Sequence, residues 1–168
     1  WGGEVLMALE AIKKHSQVPA VVTFSIHRED QVREGWTSAQ TCQRLEAAGA
    51  DVVGLNCHRG PKTMMPLLKK IRKAVQCTVA ALPVPYRTTR SQPSFMSLTD
   101  PCCGNARAFP TGLDPFVCTR SEIGDFGCEA YALGVNYRGV CCGAGPHHIR
   151  ALAEALGRHP DSGKYSAD

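Results

Sequence analysis

The amino-acid sequence predicts an α/β fold with a parallel sheet, built from one helix and the four strand–helix units that follow it. Short runs of β-branched residues alternate with segments in which apolar residues recur every three or four positions, and strict alternation implies parallel strands. No turn pattern typical of a β-hairpin separates any two of the runs. A complete (β/α)8 barrel of the TIM type needs about 250 residues. We therefore expect the 168 residues to form about half of such a barrel.

The beginning of the sequence indicates which half this is. The first residue is Trp1 rather than a methionine, and a helical pattern is already present within the first few residues. We therefore expect an N-terminal part of the gene product to be missing, so that the chain is a fragment containing the C-terminal half of the barrel. A self-contained doubly wound sheet is the alternative. It would need no missing half, but no predicted strand is followed by a GxGxxG loop.

The first elements are two helices with a strand between them. Residues 4–14 place their apolar side chains on one helical stripe. Residues 18–26 are rich in β-branched side chains and suit a strand that is covered on both faces. A second helix begins after Thr37, which forms a capping-box pattern with Gln40, and it ends at Gly49.

The next elements are two strands with a helix between them. Residues 51–57 and 77–84 have the apolar, β-branched composition of buried strands. The helix between them is predicted to start near Thr63, which would place Pro66 in its first turn, where a proline is tolerated.

The last unit follows a long connection. Residues 87–117 are rich in Pro, Gly, Ser and Thr and too long for a plain connection, so we interpret them as a functional or variable loop. A second capping-box pattern, Thr119 with Glu122, opens the helix that follows. Residues 137–140 predict the last strand and residues 146–156 the last helix.

Composition limits the classes of function. The sequence is 43% hydrophobic, as in globular proteins, and its net charge is +4, from basic residues scattered over predicted helix faces. We therefore expect no nucleic-acid partner. No apolar run approaches the roughly 20 residues that span a bilayer, and no export leader is recognisable, which predicts a cytoplasmic protein without a membrane partner. Residues 1–157 form the predicted domain, and residues 158–168 form a short polar tail.

The nine cysteines are expected to be reduced, because their number is odd and no leader precedes them. Four of them have apolar neighbours and are expected to be small core residues: Cys42, Cys77, Cys118 and Cys128.

Three other cysteines stand where predicted strands end. Cys57 closes residues 51–57, and Cys141 and Cys142 follow residues 137–140. Active sites of barrels lie at the C-terminal ends of the strands, so we expect these three sulfurs to converge. Three thiolates suit tetrahedral Zn²⁺ and leave one position open, where a substrate thiol can be deprotonated and alkylated. The alternative is that the three cysteines are small buried residues.

Other candidate ligands are predicted not to belong to this site. Cys102 and Cys103 repeat the Cys-Cys-Gly tripeptide, but in the long loop, with no strand before them and no helix after them. Of His147 and His148, near the start of the last helix, one is expected to cap or pack and the other to be solvated. His58 follows Cys57, and alternation along a strand predicts that their side chains point in opposite directions.

Three segments of the sequence resemble a known family. DVVGLNCHRGP, FPTGLDPFVCTRSEI and YRGVCCGAGPHHIRALAEAL are similar to the C-terminal half of the homocysteine-binding barrel family of methyltransferases, and most similar to its betaine-using members. The resemblance covers about residues 4–157. It implies that the three strand-end cysteines are the family's zinc ligands, and that Gly54 and Asn56 belong to the turn that presents the first of them.

The resemblance also implies a reaction. A methyl group passes from betaine to the thiolate of homocysteine, giving methionine and dimethylglycine, with Zn²⁺ as cofactor and no catalytic residue separate from the zinc site. The donor-binding residues are then expected in the first half of the barrel, so the isolated chain is expected to be inactive. Three alternatives remain open: S-methylmethionine as donor, another methyl carrier, and an inactive half-barrel that binds zinc structurally. The resemblance also leaves open whether the full-length protein forms a homo-oligomer.

One position departs from the family pattern. Two glycines usually precede the cysteine pair, whereas Gly139 and Val140 stand here. A valine does not adopt positive φ cheaply, and its β-branched side chain would lie beside the substrate sulfur. We therefore predict that Asn56, Gly139 and Val140 contact the substrate.

Overall fold

The computed structural model describes residues 2–27 and 29–165, which form a four-stranded parallel sheet, five helices and a small hairpin. The helices are α1 (Gly2–His15), α2 (Ser38–Ala47), α3 (Pro61–Ala74), α4 (Arg120–Ala132) and α5 (Pro146–Ala155). The strands are β1 (Val21–Phe24), β2 (Val52–Asn56), β3 (Thr78–Leu82) and β6 (Tyr137–Arg138) in the sheet, and β4 (Thr99–Asp100) and β5 (Ala106–Arg107) in the hairpin.

The order of strands in the sheet follows the order of the chain. The sheet runs β1-β2-β3-β6, and every neighbouring pair is parallel, as the alternation predicted. A doubly wound sheet has a point at which the strand order reverses, and this sheet has none, so that alternative was wrong. Within the described residues, β1 and β6 are each paired on one side only, which leaves both edges of the sheet open.

Two helices start at the predicted capping boxes. The Thr37 hydroxyl accepts a hydrogen bond from the Gln40 N–H at 3.2 Å, and the Gln40 side chain accepts one from the Thr37 N–H at 2.9 Å. Thr119 and Glu122 make the same reciprocal pair at the start of α4. Each box satisfies two backbone N–H groups that a helix start leaves unpaired.

The start of α3 was predicted wrongly. The helix begins at Pro61, which stands in its first turn, so Pro66 lies inside the helix. A proline at the first helical position needs no N–H and already has the right φ, and this favours the earlier start. Strands are also shorter than predicted, because a strand extends only as far as its neighbours pair with it: β1 covers Val21–Phe24 of the predicted residues 18–26.

The largest apolar cluster lies between the sheet and helices α1 to α4. It contains these fully buried side chains: Leu9, Leu45, Val53, Leu68, Ile71 and Val79. The prediction of buried cysteines holds for Cys42 and Cys118, whereas Cys77 is half-buried. It was wrong for Cys128, which is exposed, its sulfur 3.4 Å from the Ala155 carbonyl at the edge of the contact between α4 and α5.

The long connection folds onto an apolar cluster of its own. We call this the loop cluster; its buried members are Val84, Tyr86, Phe95, Leu98, Ala108 and Leu113. The sequence showed no hairpin pattern, but β4 and β5 pair antiparallel inside this connection. Strands of two residues are too short to produce an alternating pattern in the sequence.

The predicted polar tail, residues 158–168, contains one short element. Residues Asp161–Tyr165 form a short 3-10 helix, and residues 166–168 of the predicted tail, like Trp1 at the other end, lie outside the described residues. None of the helices in the described ranges has the length and apolar character that crossing a bilayer requires.

An ion pair fastens the start of the long connection to α4. The Arg87 guanidinium donates to both carboxylate oxygens of Glu122, at 2.6 to 3.0 Å, and holds the pKa of Glu122 at about 2, well below its ordinary 4.5. The pair is partly open to solvent, which weakens its contribution to stability.

We expect this pair to make stability depend on pH. Because the pKa of Glu122 is lower in the folded than in the unfolded chain, its contribution is complete above pH 4.5 and is lost as the pH falls towards about 2. Glu122→Gln keeps the capping box but loses the charge, so its unfolding free energy should fall less, by about 1 kcal/mol, on acidification from about pH 6 to about pH 3. Urea unfolding measures this difference.

The control is Glu10→Gln, at an exposed position of α1. This variant should keep the acid sensitivity of the unmodified chain. Equal sensitivity of the Glu122→Gln variant and the unmodified chain would contradict the assignment to Glu122.

Candidate metal centre

Three cysteine sulfurs meet at the C-terminal ends of two strands. Cys57 follows β2, and Cys141 and Cys142 follow β6. The Cys57 and Cys142 sulfurs are 3.6 Å apart, those of Cys141 and Cys142 are 3.7 Å apart, and all three lie within 4.8 Å of one another. The structure therefore brings together the three residues that the sequence predicted to converge.

Strand β3 lies between the two strands that carry these cysteines and holds both. The Cys57 N–H donates to the Leu82 carbonyl at 2.9 Å, and the Cys141 N–H donates to the Pro83 carbonyl at 2.8 Å. Successive carbonyls of an extended chain point to opposite sides, so Leu82 and Pro83 reach opposite neighbours. These two hydrogen bonds anchor the start of each sulfur-bearing turn to the chain at the end of β3.

The backbone at Cys57 and His58 is left-handed, with φ values of 59° and 55°. Side chains other than glycine rarely adopt this conformation, and it costs on the order of 1–3 kcal/mol per residue. The Arg59 N–H donates to the Cys57 carbonyl at 2.6 Å, and the Phe95 N–H donates to the His58 carbonyl at 2.8 Å, which stabilises the turn. The prediction that the two side chains point apart assumed a continued strand, but β2 ends at Asn56.

The separations of the sulfurs suit a tetrahedral metal ion. With Zn–S bonds of about 2.3 Å, two sulfurs bound to the same tetrahedral zinc ion are about 3.8 Å apart. The two closest sulfur pairs, at 3.6 and 3.7 Å, are near that length. All three cysteines retain some exposure to solvent, and Cys142 is the most exposed, so a further ligand can reach the cluster. A donor set of three sulfurs with one accessible side suits an open metal site better than a closed structural one, which has four protein ligands.

The thiols need a cation in order to ionise together. Burial, and then the neighbouring thiols, raise the pKa of Cys57 to about 12. Three thiolates within this distance would repel one another strongly in a partly buried site. A divalent cation removes this penalty, because thiol ligands lose their protons when they coordinate a metal.

The loop cluster covers one side of the thiols. Cys57 and Cys141 are both partly buried and pack against this cluster. The long connection, which the sequence indicated as functional or variable, therefore contributes an apolar wall next to the sulfurs. Such a wall lowers the local dielectric constant and strengthens electrostatic interactions within the site.

A pair of histidines lies beside Cys57, and the sequence predicted only part of it. The His58 ring stacks on His27 with centroids 3.5 Å apart, and His58 Nδ1 lies 3.1 Å from the Ser94 hydroxyl in a hydrogen bond. Burial, and then His27, lower the pKa of His58 to about 4. His27 and Ser94 were missed. His27 follows the apolar run of β1, the same strand-end position that identified Cys57, and that signal would have found it.

The residues predicted to contact substrate lie in different surroundings. Asn56 lines a cavity of about 670 Å³ together with His27. The Gly139 N–H donates to the Ala81 carbonyl at 3.1 Å. Val140 is partly buried against the small apolar cluster of Cys118, Ile123 and Leu152, and it is not among the described residues with positive φ. Substrate contact by Asn56, Gly139 and Val140 stays a prediction. Gly54 and Asn56, both expected in the turn that presents Cys57, lie within β2.

The other candidate ligands lie elsewhere. Cys102 and Cys103 are exposed in the connection between β4 and β5 and do not belong to the three-sulfur cluster. His148 is buried: its Nδ1 accepts from the Gly145 N–H at 3.1 Å, and its Nε2 lies 3.2 Å from the Cys118 carbonyl. His147 is exposed, so the prediction of one capping and one solvated histidine is confirmed.

Comparisons with known proteins agree on one family. The sequence profile described as Homocysteine S-methyltransferase matches residues 3–156. Betaine-homocysteine S-methyltransferase 1 of Rattus norvegicus is 36% identical over 158 residues, which are 91% of this chain and 37% of that protein. An S-methylmethionine-homocysteine S-methyltransferase of Rattus norvegicus is 34% identical over 158 residues, which are 91% of this chain and 41% of that protein.

A solved structure has a similar fold. The homocysteine methyltransferase MmuM from Escherichia coli, in an oxidized form, matches with a TM-score of 0.60 and 15% identity, over 91% of this chain and 41% of that chain. At this identity the likeness shows the fold alone. The chain spans about two fifths of the length of the curated relatives it matches.

We expect the chain to bind one equivalent of Zn²⁺ through the three strand-end cysteines. Cys142→Ser should weaken binding by about a hundredfold or more, because it removes one of three ligands, and replacing residues that only orient ligands already costs about 10–100-fold. Cys142 is exposed, so its replacement should leave the fold intact. Competition with a chromophoric chelator measures the affinity.

The matched control is Cys103→Ser, which changes the second cysteine of the other Cys-Cys-Gly tripeptide, also at an exposed position. Its zinc affinity should equal that of the unmodified chain. Loss of zinc in this variant but not in the Cys142→Ser variant would contradict the assignment of the site.

Proposed function

This chain belongs to the homocysteine S-methyltransferase family, and we propose that it carries the sulfur-activating centre of a zinc-dependent betaine-homocysteine methyltransferase. In this reaction the sulfur of homocysteine attacks an N-methyl carbon of betaine. A carbon–sulfur bond forms, the carbon–nitrogen bond breaks with its electron pair passing to nitrogen, and the products are methionine and dimethylglycine. The observation that carries the proposal is the convergence of Cys57, Cys141 and Cys142 at two strand ends.

We place the chain in a (β/α)8 barrel, of which residues 1–157 supply a helix and four strand–helix units and residues 158–168 are a short polar tail. The sequential order of parallel strands supports this placement, because the strands of a barrel follow one another in chain order, whereas the order in a doubly wound sheet reverses at one point. The position of the thiols after β2 and β6 supports it too, since barrel active sites lie at these strand ends.

In the proposed site the chain's own residues supply ligands, spacing and a dry wall. Cys57, Cys141 and Cys142 would hold a Zn²⁺ ion, which would supply Lewis-acid chemistry that lowers the pKa of a substrate thiol. The Leu82 and Pro83 carbonyls hold the backbone of Cys57 and Cys141 in place. The loop cluster excludes water on one side of the sulfurs, which favours a nucleophile that has lost part of its hydration.

Two compounds are candidates for the methyl donor. Betaine is the donor we propose, because the segments around the cysteines resemble the betaine-using members most. S-methylmethionine is the second candidate, since a relative named for that donor is 34% identical, against 36% for the relative named for betaine. Both reactions use the same sulfur centre and differ only in the group that leaves the methyl carbon.

The proposal predicts that the metal centre recognises the sulfur of homocysteine. With Co²⁺ in place of Zn²⁺, adding homocysteine to the purified chain should change the thiolate-to-cobalt absorption, because another sulfur joins the ion. Homoserine, which has oxygen in place of the sulfur, is the matched control and should leave the spectrum unchanged. Equal responses to both compounds, or no response to homocysteine, would leave a structural metal site as the better description.

The donor is tested on the full-length protein that contains this chain. With deuterium-labelled methyl groups on betaine or on S-methylmethionine, mass spectrometry of the methionine formed identifies the source of the methyl group. We expect label from betaine, and no labelled methionine from either donor in the Cys142→Ser variant. Label only from S-methylmethionine would overturn the choice of donor but not the sulfur centre.

A further inference from the structure

The thiol centre is assembled from two turns that belong to different parts of the chain. The first turn runs from Cys57 to Gly60 and leads into α3; the second runs from Cys141 to Gly145 and leads into α5. Cys57 and Cys142 are 85 positions apart in the sequence. Their sulfurs approach to 3.6 Å only if the two turns are held at a fixed separation.

The segment after β3 passes between these turns, and Tyr86 stands at its end. On the first turn, Gly60 packs so closely against Tyr86 that a Cβ on Gly60 would lie 1.9 Å from the Tyr86 carbonyl oxygen. The contact is secured by Thr88, whose N–H donates to this carbonyl at 2.9 Å and whose hydroxyl accepts from the Gly60 N–H at 3.0 Å.

The Tyr86 side chain packs against the second turn. Gly143, which directly follows Cys142, has φ +87°, and a Cβ there would lie 2.1 Å from the Tyr86 hydroxyl oxygen and 2.7 to 2.9 Å from ring carbons. The phenol therefore occupies the space that any side chain at Gly143 would need.

Tyr86 has little freedom to move away from these contacts. It is 9% exposed, and its ring stacks on Phe95 with centroids 5.6 Å apart and planes inclined by 13°. Phe95 in turn meets the edge of Phe109. The aromatic stack of the loop cluster thus holds the phenol against Gly143.

We propose that Tyr86 is a positioning residue of the metal centre. Its backbone packs against the turn after Cys57 and its phenol packs against the turn after Cys142. Together these two contacts set the distance between the thiols. This inference rests on the proposed zinc site. In this role Tyr86, the aromatic residue after β3, acts neither as a metal ligand nor as a substrate contact.

The first test is Tyr86→Leu, with Co²⁺ affinity and the Co²⁺ absorption spectrum of the purified chain as readouts. Residues that orient metal ligands typically change metal affinity by about 10–100-fold when replaced. We expect a rise in the Co²⁺ dissociation constant of at least about tenfold and altered ligand-field bands. Phe116→Leu removes a ring that packs against the same loop cluster and should leave both unchanged.

The second test keeps the aromatic stack. Gly143→Ala should weaken Co²⁺ binding by about tenfold or more, because the new methyl group meets the phenol. Gly157→Ala is the control: that glycine has φ +75° but nothing within 4 Å of an added Cβ, so it carries the conformational strain alone. Adding Tyr86→Phe to Gly143→Ala removes the closest clashing atom and should restore part of the affinity.

The outcomes separate this inference from the proposed function. Tyr86→Leu and Gly143→Ala variants that bind Co²⁺ as the unmodified chain does would overturn the role of Tyr86 and leave the zinc site standing. Independent effects of Gly143→Ala and Tyr86→Phe would overturn the contact between them. Failure of the unmodified chain to bind Co²⁺ or Zn²⁺ would overturn both the zinc site and the positioning role.

Discussion

Two backbone hydrogen bonds from the end of β3 determine the geometry of the candidate site. The Leu82 carbonyl holds Cys57 on one side, and the Pro83 carbonyl holds Cys141 on the other. The arrangement follows from the parallel sheet itself, because β3 lies between β2 and β6 and an extended chain directs consecutive carbonyls to opposite neighbours. The sheet therefore brings the sulfurs together before any side chain contributes. Side chains then refine the arrangement: the loop cluster and the stacked histidines fill the space around the two turns.

Much of this architecture was predictable from local sequence. Capping boxes at Thr37 and Thr119 located two helix starts, since the pattern that satisfies unpaired N–H groups lies within four residues. Strand ends located the three cysteines, because barrel-type sites lie where parallel strands stop.

Features that depend on distant parts of the chain were not predictable. Tyr86 contacts two turns, and His27 stacks on His58. These contacts join segments that are remote in sequence, and no periodic pattern in the sequence predicts them. Cys128 looked like a core residue from its neighbours, but exposure depends on how α4 meets α5. The β4–β5 hairpin escaped notice because two-residue strands carry too few positions for a pattern.

Because β6 pairs with β3 over a short length, the sulfur cluster also matters for the stability of the sheet. Only Tyr137 and Arg138 of β6 are in register with β3, whereas β2 and β3 share five register pairs, so the seam between β3 and β6 is the shortest in the sheet. Cys141 and Cys142 lie beyond this short seam and Cys57 lies on the far side of β3. An ion held by all three sulfurs would therefore cross-link the sheet over its shortest seam. Occupancy of the site and closure of the seam are then thermodynamically linked: each gains in stability from the other.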